Sequence, residues 1–176
     1  HPGTLIGAEP QPSSTVIKAV TSIRNVSMLT ITGKGMIGVP GMAGRAFLSV
    51  AQAGANILMI SQSSSEQSMC FIATSDKAED AKHAVESEFQ DEIGRQDVDG
   101  VDVAHDVVIV TVVGAGMRGT PGVAGRVFSA LGEHRLNVLA IAQGSSECSI
   151  SFVISEHDLE FAVKTLHELA LEAVPA

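Results

Sequence analysis

Gly33-Lys34-Gly35-Met36-Ile37-Gly38-Val39-Pro40-Gly41-Met42-Ala43-Gly44-Arg45-Ala46-Phe47 occurs in this chain in two versions. The second is Gly114-Ala115-Gly116-Met117-Arg118-Gly119-Thr120-Pro121-Gly122-Val123-Ala124-Gly125-Arg126-Val127-Phe128. They stand 81 positions apart, and the spacing holds without a gap to Ile72 and Val153, with 19 identities over 40 aligned positions. Further on, residues 56–62 answer 137–143, and Ser64-Ser65-Glu66-Gln67-Ser68 answers Ser145-Ser146-Glu147-Cys148-Ser149. A tandem duplication in 176 residues reads as two small domains. Each alone buries a thin core, so the pair is expected to share one.

Outward from the glycine turn, the pattern gives the elements. Residues 28–32 are apolar and β-branched, a strand that ends at Gly33. Pro40 suits a first helical turn. Ala43, Phe47, Val50 and Ala51 recur along one helical face, and Gly54 follows as a left-handed stop. Strands are expected at 57–61 and 68–74, joined by the polar turn 63–67. Asp76 and Glu79 have capping-box spacing before a helix to about Phe89, and a short strand covers 101–104. This is β-α-β-β-α-β, a ferredoxin-like split βαβ unit. The second copy repeats it with strands at 107–113, 137–143 and 148–154 and helices at about 121–135 and 158–171, Ser155 capping the last.

After that helix too little chain remains for a fourth strand. Residues 15–20, not needed by the first copy, read as a strand that completes the second. The expected fold is therefore α+β: antiparallel sheets with helices on one face and the first domain inserted into the second. The expected bounds are 23–105 for the first domain and 15–22 plus 106–173 for the second. The Pro- and Gly-rich residues 1–14 read as a linker or arm.

Composition narrows the function classes. The net charge of −9, without a basic cluster or aromatic platform, disfavours nucleic acid. The apolar runs are too short to span a membrane, and the start lacks a signal-peptide pattern, so a cytoplasmic location is expected. The chain opens at His1 without Met and reads as a piece of a longer protein. Cys70 and Cys148 lack a spacing motif and read as core residues of a reducing compartment. The six histidines show no metal spacing, so no metal is expected.

Gly33-Lys34-Gly35-Met36-Ile37-Gly38 is literally G-x-G-x-x-G, but three features oppose a dinucleotide site. Val39-Pro40-Gly41 separate its third glycine from the helix. The next strand ends in Gln62 (Gln143 in the second copy) where an acidic ribose ligand belongs. The strand order is also that of a split βαβ. A glycine loop entering a helix N-terminus remains, suited to a small carboxylate. Asn56 and Gln62 flank the next strand, amides that both donate and accept. The alternative is that the glycines only shape a turn and the amides only satisfy backbone; retention of all three in both copies favours a ligand. Met36 and Met117 read as core filling or ligand packing. Arg45 and Arg126 read as partners of a carboxylate, a subunit or a ligand.

With these residues in view, the chain resembles the paired ACT domains of aspartate kinases. The motifs that carry it are G-x-G-M-x-G-x-P-G-x-A-G-R-x-F, N-[IV]-L-x-I-x-Q and S-S-E-x-S, in tandem over about residues 15–172. The resemblance is strongest to the threonine-responsive kind, including those fused to homoserine dehydrogenase, and residues 1–6 resemble the end of the kinase domain. It implies a regulatory region that binds an end-product amino acid and inhibits the kinase allosterically, with no catalytic residue or cofactor of its own. ATP and Mg²⁺ belong to the kinase domain, which phosphorylates the aspartate side-chain carboxylate.

By position, the implied effector contacts are Gly38, Val39, Pro40, Gly41, Met42, Ala43, Gly44, Asn56, Ile57, Leu58 and Gln62. A second possible site comprises Gly119, Pro121, Gly122, Val123, Ala124, Gly125, Asn137, Val138, Leu139 and Gln143. Implied partners are the kinase domain of the same chain and a second copy, paired through the ACT domains. Some family members carry an acidic residue where this chain has Gly38. Neither loop supplies a carboxylate for a lysine ammonium, so threonine is the expected effector and lysine the alternative. Two rival readings stand beside this one. One is a free-standing tandem ACT sensor of another enzyme; the other is a small oxidoreductase or transferase on the glycine loop, which lacks an acid–base pair.

Overall fold

The computed structural model of the chain describes residues 15–171. Its strands are β1 (Ala19–Thr32), β2 (Ile57–Gln62), β3 (Ser68–Thr74), β4 (Gly100–Val113), β5 (Ala140–Gln143) and β6 (Ser149–Ser155). Its helices are α1 (Met42–Gln52), α2 (Ala78–Glu88), the short α3 (Gln90–Gly94), α4 (Val123–Glu133) and α5 (Leu159–Leu171). All six strands join one antiparallel sheet in the order β2-β3-β1-β4-β6-β5. The arm expected at 1–14 and the domain end at 172–173 lie outside the described residues.

β1 and β4 are 14 residues each, where the sequence pattern anticipates two short strands apiece. They run antiparallel along their whole length. Ala19–Ile23 pair with Val113–Ile109, and Met28–Thr32 pair with Ala104–Gly100. Between these stretches the register slips twice, around Val26. At the slips, Asn25 (φ 58) and Asp106 (φ 54) adopt the left-handed conformation, which Asn and Asp tolerate best after glycine. These are β-bulges, which bend a strand without ending it. Asn25 and Asp106 are themselves 81 positions apart, so the bend belongs to the repeat.

The bend gives each long strand two duties. Its second part lies beside β3 in β1, and beside β6 in β4. Its first part forms the outer strand of the other half-sheet. Residues 19–23 thus border the second half, a few positions later than the anticipated 15–20, and residues 100–104 border the first.

The fold has three apolar clusters rather than one shared core. One lies between α1, α2 and the first half-sheet, around Leu29, Phe71, Val85 and Phe89. Its counterpart lies under α4 and α5, around Val110, Phe152, Leu131 and Leu166. Edge-to-face pairs Phe47–Phe71 (6.1 Å) and Phe128–Phe152 (5.8 Å) occupy matching places. The third cluster contains no helix residue. Val26, Met59, Ile72, Val107, Ile109, Ala140 and Val153 bring the helix-free faces of the two halves together. The sheet therefore folds over on itself, with helices outside and β2 close to β5. No helix among the described residues is long and apolar enough to cross a membrane.

Local departures have local causes. Gly41, at φ 88, delays α1 until Met42, and the buried stripe becomes Met42, Ala46, Ser49 and Val50; Ala43 and Phe47 flank it and Ala51 is exposed. Ser75–Lys77 form a 3-10 turn before α2, so Asp76 and Glu79 make no capping box. β5 begins at Ala140 rather than 137. Neither cysteine is a fully buried core residue. Cys70 is half-buried, which pushes its thiol pKa up, and Cys148 sits in the hairpin with its Sγ 3.3 Å from the Ser146 carbonyl.

Arg45 is a clamp between helices. Its guanidinium donates to Glu88 Oε1 (2.7 Å), Glu92 Oε1 (2.7 Å) and the Glu88 carbonyl (3.0 Å), and lies 4.6 Å from the Phe89 ring centroid. The hydrogen bond from Arg45 is the main reason the Glu92 carboxyl titrates below its ordinary range.

Arg45→Ala lowers unfolding stability by about 1 kcal/mol in this partly exposed setting. The Glu92 contribution is complete above the ordinary glutamate range and fades as pH falls through and below it. The wild-type advantage over Arg45→Ala in denaturant unfolding thus shrinks with acid. Removing residues 1–22 strips hydrogen-exchange protection from β4, β6, α4 and α5 more than from β3, α1 and α2. Arg135, at φ 58 where the first copy has Gly54 at φ 72, is strained; Arg135→Gly raises stability by roughly 0.5–1 kcal/mol in thermal unfolding.

Candidate functional site

Each glycine loop is shaped by a chain segment passing beneath it. A Cβ on Gly33 would overlap the Asp97 carbonyl oxygen, and one on Gly35 would stand 2.7 Å from the Asp97 Cα. In the second copy, a Cβ on Gly114 would overlap the Val16 carbonyl oxygen, and one on Gly116 would stand 3.2 Å from the Val16 Cα. The first two glycines of each motif therefore exist for close backbone approach, not for phosphate binding. Met36 and Met117 are 2% and 4% exposed and fill the two cores.

The loops then turn outward in near-identical conformations. Gly38 and Gly41 have φ of 67 and 88, and Gly119 and Gly122 have φ of 68 and 84. Each second glycine caps its helix, and no side chain caps either N-terminus. The N–H groups of the first helical turn are orphans of the kind that suit an anion. Gly44 and Gly125 have neither a positive φ nor any atom within 4 Å of an added Cβ. Glycine inside a helix is roughly 0.5–1 kcal/mol less stable than alanine.

The anticipated contact residues divide between faces. Gly38, Val39, Pro40, Gly41 and Gly44 are exposed, whereas Met42 is buried and Ala43 packs on the first core. Gln62, at the end of edge strand β2, pairs with Met69, and Ile60 pairs with Phe71. Both therefore lie on the helix-bearing face, as α1 does. Asn56 is exposed just before β2, and Ile57 packs on the first core. Leu58 packs instead into the cluster between the half-sheets, away from the loop. In the second copy Gly119, Pro121, Gly122, Gly125, Asn137, Leu139 and Gln143 are exposed, while Val123 is buried and Ala124 and Val138 pack on the second core.

Sequence reasoning passed over one participant. Glu66, in the β2–β3 hairpin, accepts a hydrogen bond from the Gly38 N–H at 2.7 Å; Glu147 accepts from the Gly119 N–H at 2.8 Å. Both glutamates are left-handed at φ 57. The signal lay in the repeated Ser-Ser-Glu, where glutamate occupies a turn position better suited to glycine or asparagine. A carboxylate thus reaches each loop after all, which removes the charge argument that disfavoured lysine.

The pattern of the ACT domain matches residues 29–89 and 110–169. A bifunctional aspartokinase/homoserine dehydrogenase of Haemophilus influenzae is 40% identical over 167 residues, covering 95% of this chain and 20% of that protein. An aspartate kinase of Pseudomonas fluorescens is 34% identical over 170 residues, covering 94% of this chain and 40% of that protein. The chain thus spans a minor part of these relatives. Among solved structures, the aspartokinase alpha and beta subunits share 28% identity at a TM-score of 0.74, over 86% of this chain and 97% of that one. The regulatory subunit of aspartate kinase from Thermus thermophilus shares 26% at 0.73, over 89% and 99%. Two glycine loops of one conformation, on two β-α-β-β-α halves that share their long strands, are thus the mark of a family, and the chain belongs to it as the ACT-domain pair of an aspartate kinase regulatory region.

Proposed function

We propose that this ACT pair is the feedback sensor of a bifunctional aspartate kinase and that threonine is its effector. The observation that carries this reading is the outward-facing glycine loop, uncapped at its helix N-terminus and repeated with φ angles matching within a few degrees. Backbone N–H groups there receive the amino acid carboxylate. Gln62, on the same face of the sheet, offers donor and acceptor to a hydroxyl side chain. The motif resemblance to the threonine-responsive kind is what favours threonine over other end products. Kinase chemistry, with ATP and Mg²⁺, resides in the remainder of the protein, and a cytosolic setting fits such an enzyme.

The sensor acts as a homodimer. Among the described residues β2 is an edge strand with one side unpaired, and Ile37, Val39, Leu48 and Ile60 are 44–60% exposed. An open strand edge and exposed apolar side chains favour pairing with a second copy. An effector at that contact shifts subunit arrangement by a coupling of typically ~1–3 kcal/mol. Lysine remains the second reading because Glu66 brings a carboxylate to the loop.

Calorimetric titration of threonine, then lysine, with sedimentation velocity on the same samples, tests the proposal. Saturable threonine heat is expected, weakened about tenfold in Gln62→Ala for a lost ligand hydrogen bond, with a dimer in both samples. Lysine heat without threonine heat rejects the effector assignment; silence from both rejects the sensor reading of this loop.

A further inference from the structure

We propose that Glu66 and Glu147 are latches: each fastens its hairpin to the glycine loop and competes with an effector carboxylate for the same loop N–H. The inference rests on the sensor reading above and adds to it a device for reporting occupancy.

Four observations converge on these two residues. First, each glutamate sits in a tight turn closed by its own N–H, donated to Ser63 O (3.1 Å) or Gly144 O (3.0 Å). Second, both are left-handed at φ 57, a conformation that is unfavourable for glutamate and relaxed for glycine or asparagine. A strained residue kept in both copies needs a compensating contact. Third, the contact is present. The carboxylates accept from Gly38 and Gly119 at 2.7 and 2.8 Å, the short range of charge-assisted bonds. Fourth, the base of each hairpin is anchored separately, by Gly33 N–H to Gln67 O (3.0 Å) and Gly114 N–H to Cys148 O (2.9 Å). Movement of the tip therefore does not require the sheet to open.

Gly38 lies ahead of the α1 cap: the Val39 N–H is taken by the Met36 carbonyl (3.2 Å), Pro40 has no N–H, and Gly41 caps the helix. The single hydrogen of the Gly38 N–H serves one strong acceptor. A carboxylate entering the loop displaces Glu66, which then swings free beside the incoming ammonium and releases the hairpin tip, residues 64–66. The hairpin tip is thereby in one place with the loop empty of effector and in another with it filled. The latched population lowers apparent affinity by the fraction of time the N–H is free. A direct effector contact has the opposite signature, since its loss weakens binding.

The test uses the 176-residue chain, as wild type, Glu66→Gln and Glu66→Asn. Asparagine is the variant safest for folding because it accepts the left-handed turn and is too short to reach Gly38. Amide spectra report on Gly38, and calorimetry reports on threonine. The expected result is a displaced Gly38 amide resonance in both variants before any ligand is added. Threonine binding then tightens by roughly 3- to 10-fold, with Tm kept in Glu66→Asn. Glu147→Gln does the same at Gly119. Affinity unchanged or weakened in both variants overturns the latch and leaves the sensor reading standing. An unmoved Gly38 resonance overturns it regardless of ligand. No binding of threonine or lysine to wild type or variants sinks the sensor reading and the competition with it.

Discussion

The antiparallel pairing of β1 with β4 is the constraint on which the rest of the molecule depends. Both strands run for 14 residues and bend at left-handed Asn25 and Asp106, so neither belongs to one half alone. Each contributes an outer strand to one half and a central strand to the other. A consequence reaches the glycine loops directly. The segment just before β4 lies under the first loop, through Asp97, and the segment just before β1 lies under the second, through Val16. Each strand thus begins beneath one loop and ends by becoming the other. The two halves cannot separate without breaking the sheet's longest ladder and uncovering the cluster between the half-sheets.

The loops carry a division of labour among residues of one type. Gly33, Gly35, Gly114 and Gly116 make room for passing backbone, while Gly38, Gly41, Gly119 and Gly122 permit left-handed turns. Gly44 and Gly125 do neither. Around them the electrostatics are modest and solvated. The strongest ion-pair cluster, Arg45 with Glu88 and Glu92, serves helix packing rather than the loop. The carboxylate of Glu88 is not repeated in the second copy, where the matching position is Leu169.

Much of this was legible because local rules and the repeat agree. The spacing of 81 located both copies, the glycine turns and both helices that follow them. The strand-like residues 15–20, unneeded by the first copy, pointed to a strand that completes the second. What escaped reading depended on distant partners. The apolar runs at 28–32 and 101–104 say nothing about continuing through Asn25 or Asp106, because a bulge is decided by cross-strand register. Asp76 and Glu79 have the right spacing for a capping box, but the Ser75–Lys77 turn intervenes. Glu66 looked like a solvated hairpin residue, since its partner Gly38 lies 28 positions away.

The sequence by itself determined the duplication, the α+β class, the family resemblance and the placing of a glycine loop before a helix in each copy. These follow from residue type and spacing, which act over a few neighbours and recur in both copies. Only the tertiary structure decided that the two sheets are one, that three apolar clusters replace a shared core, and that Glu66 and Glu147 occupy the loop N–H groups. Those outcomes depend on which backbone segments meet across the sheet. Long-range pairing is set by the simultaneous burial of both halves, and no single window of sequence contains it.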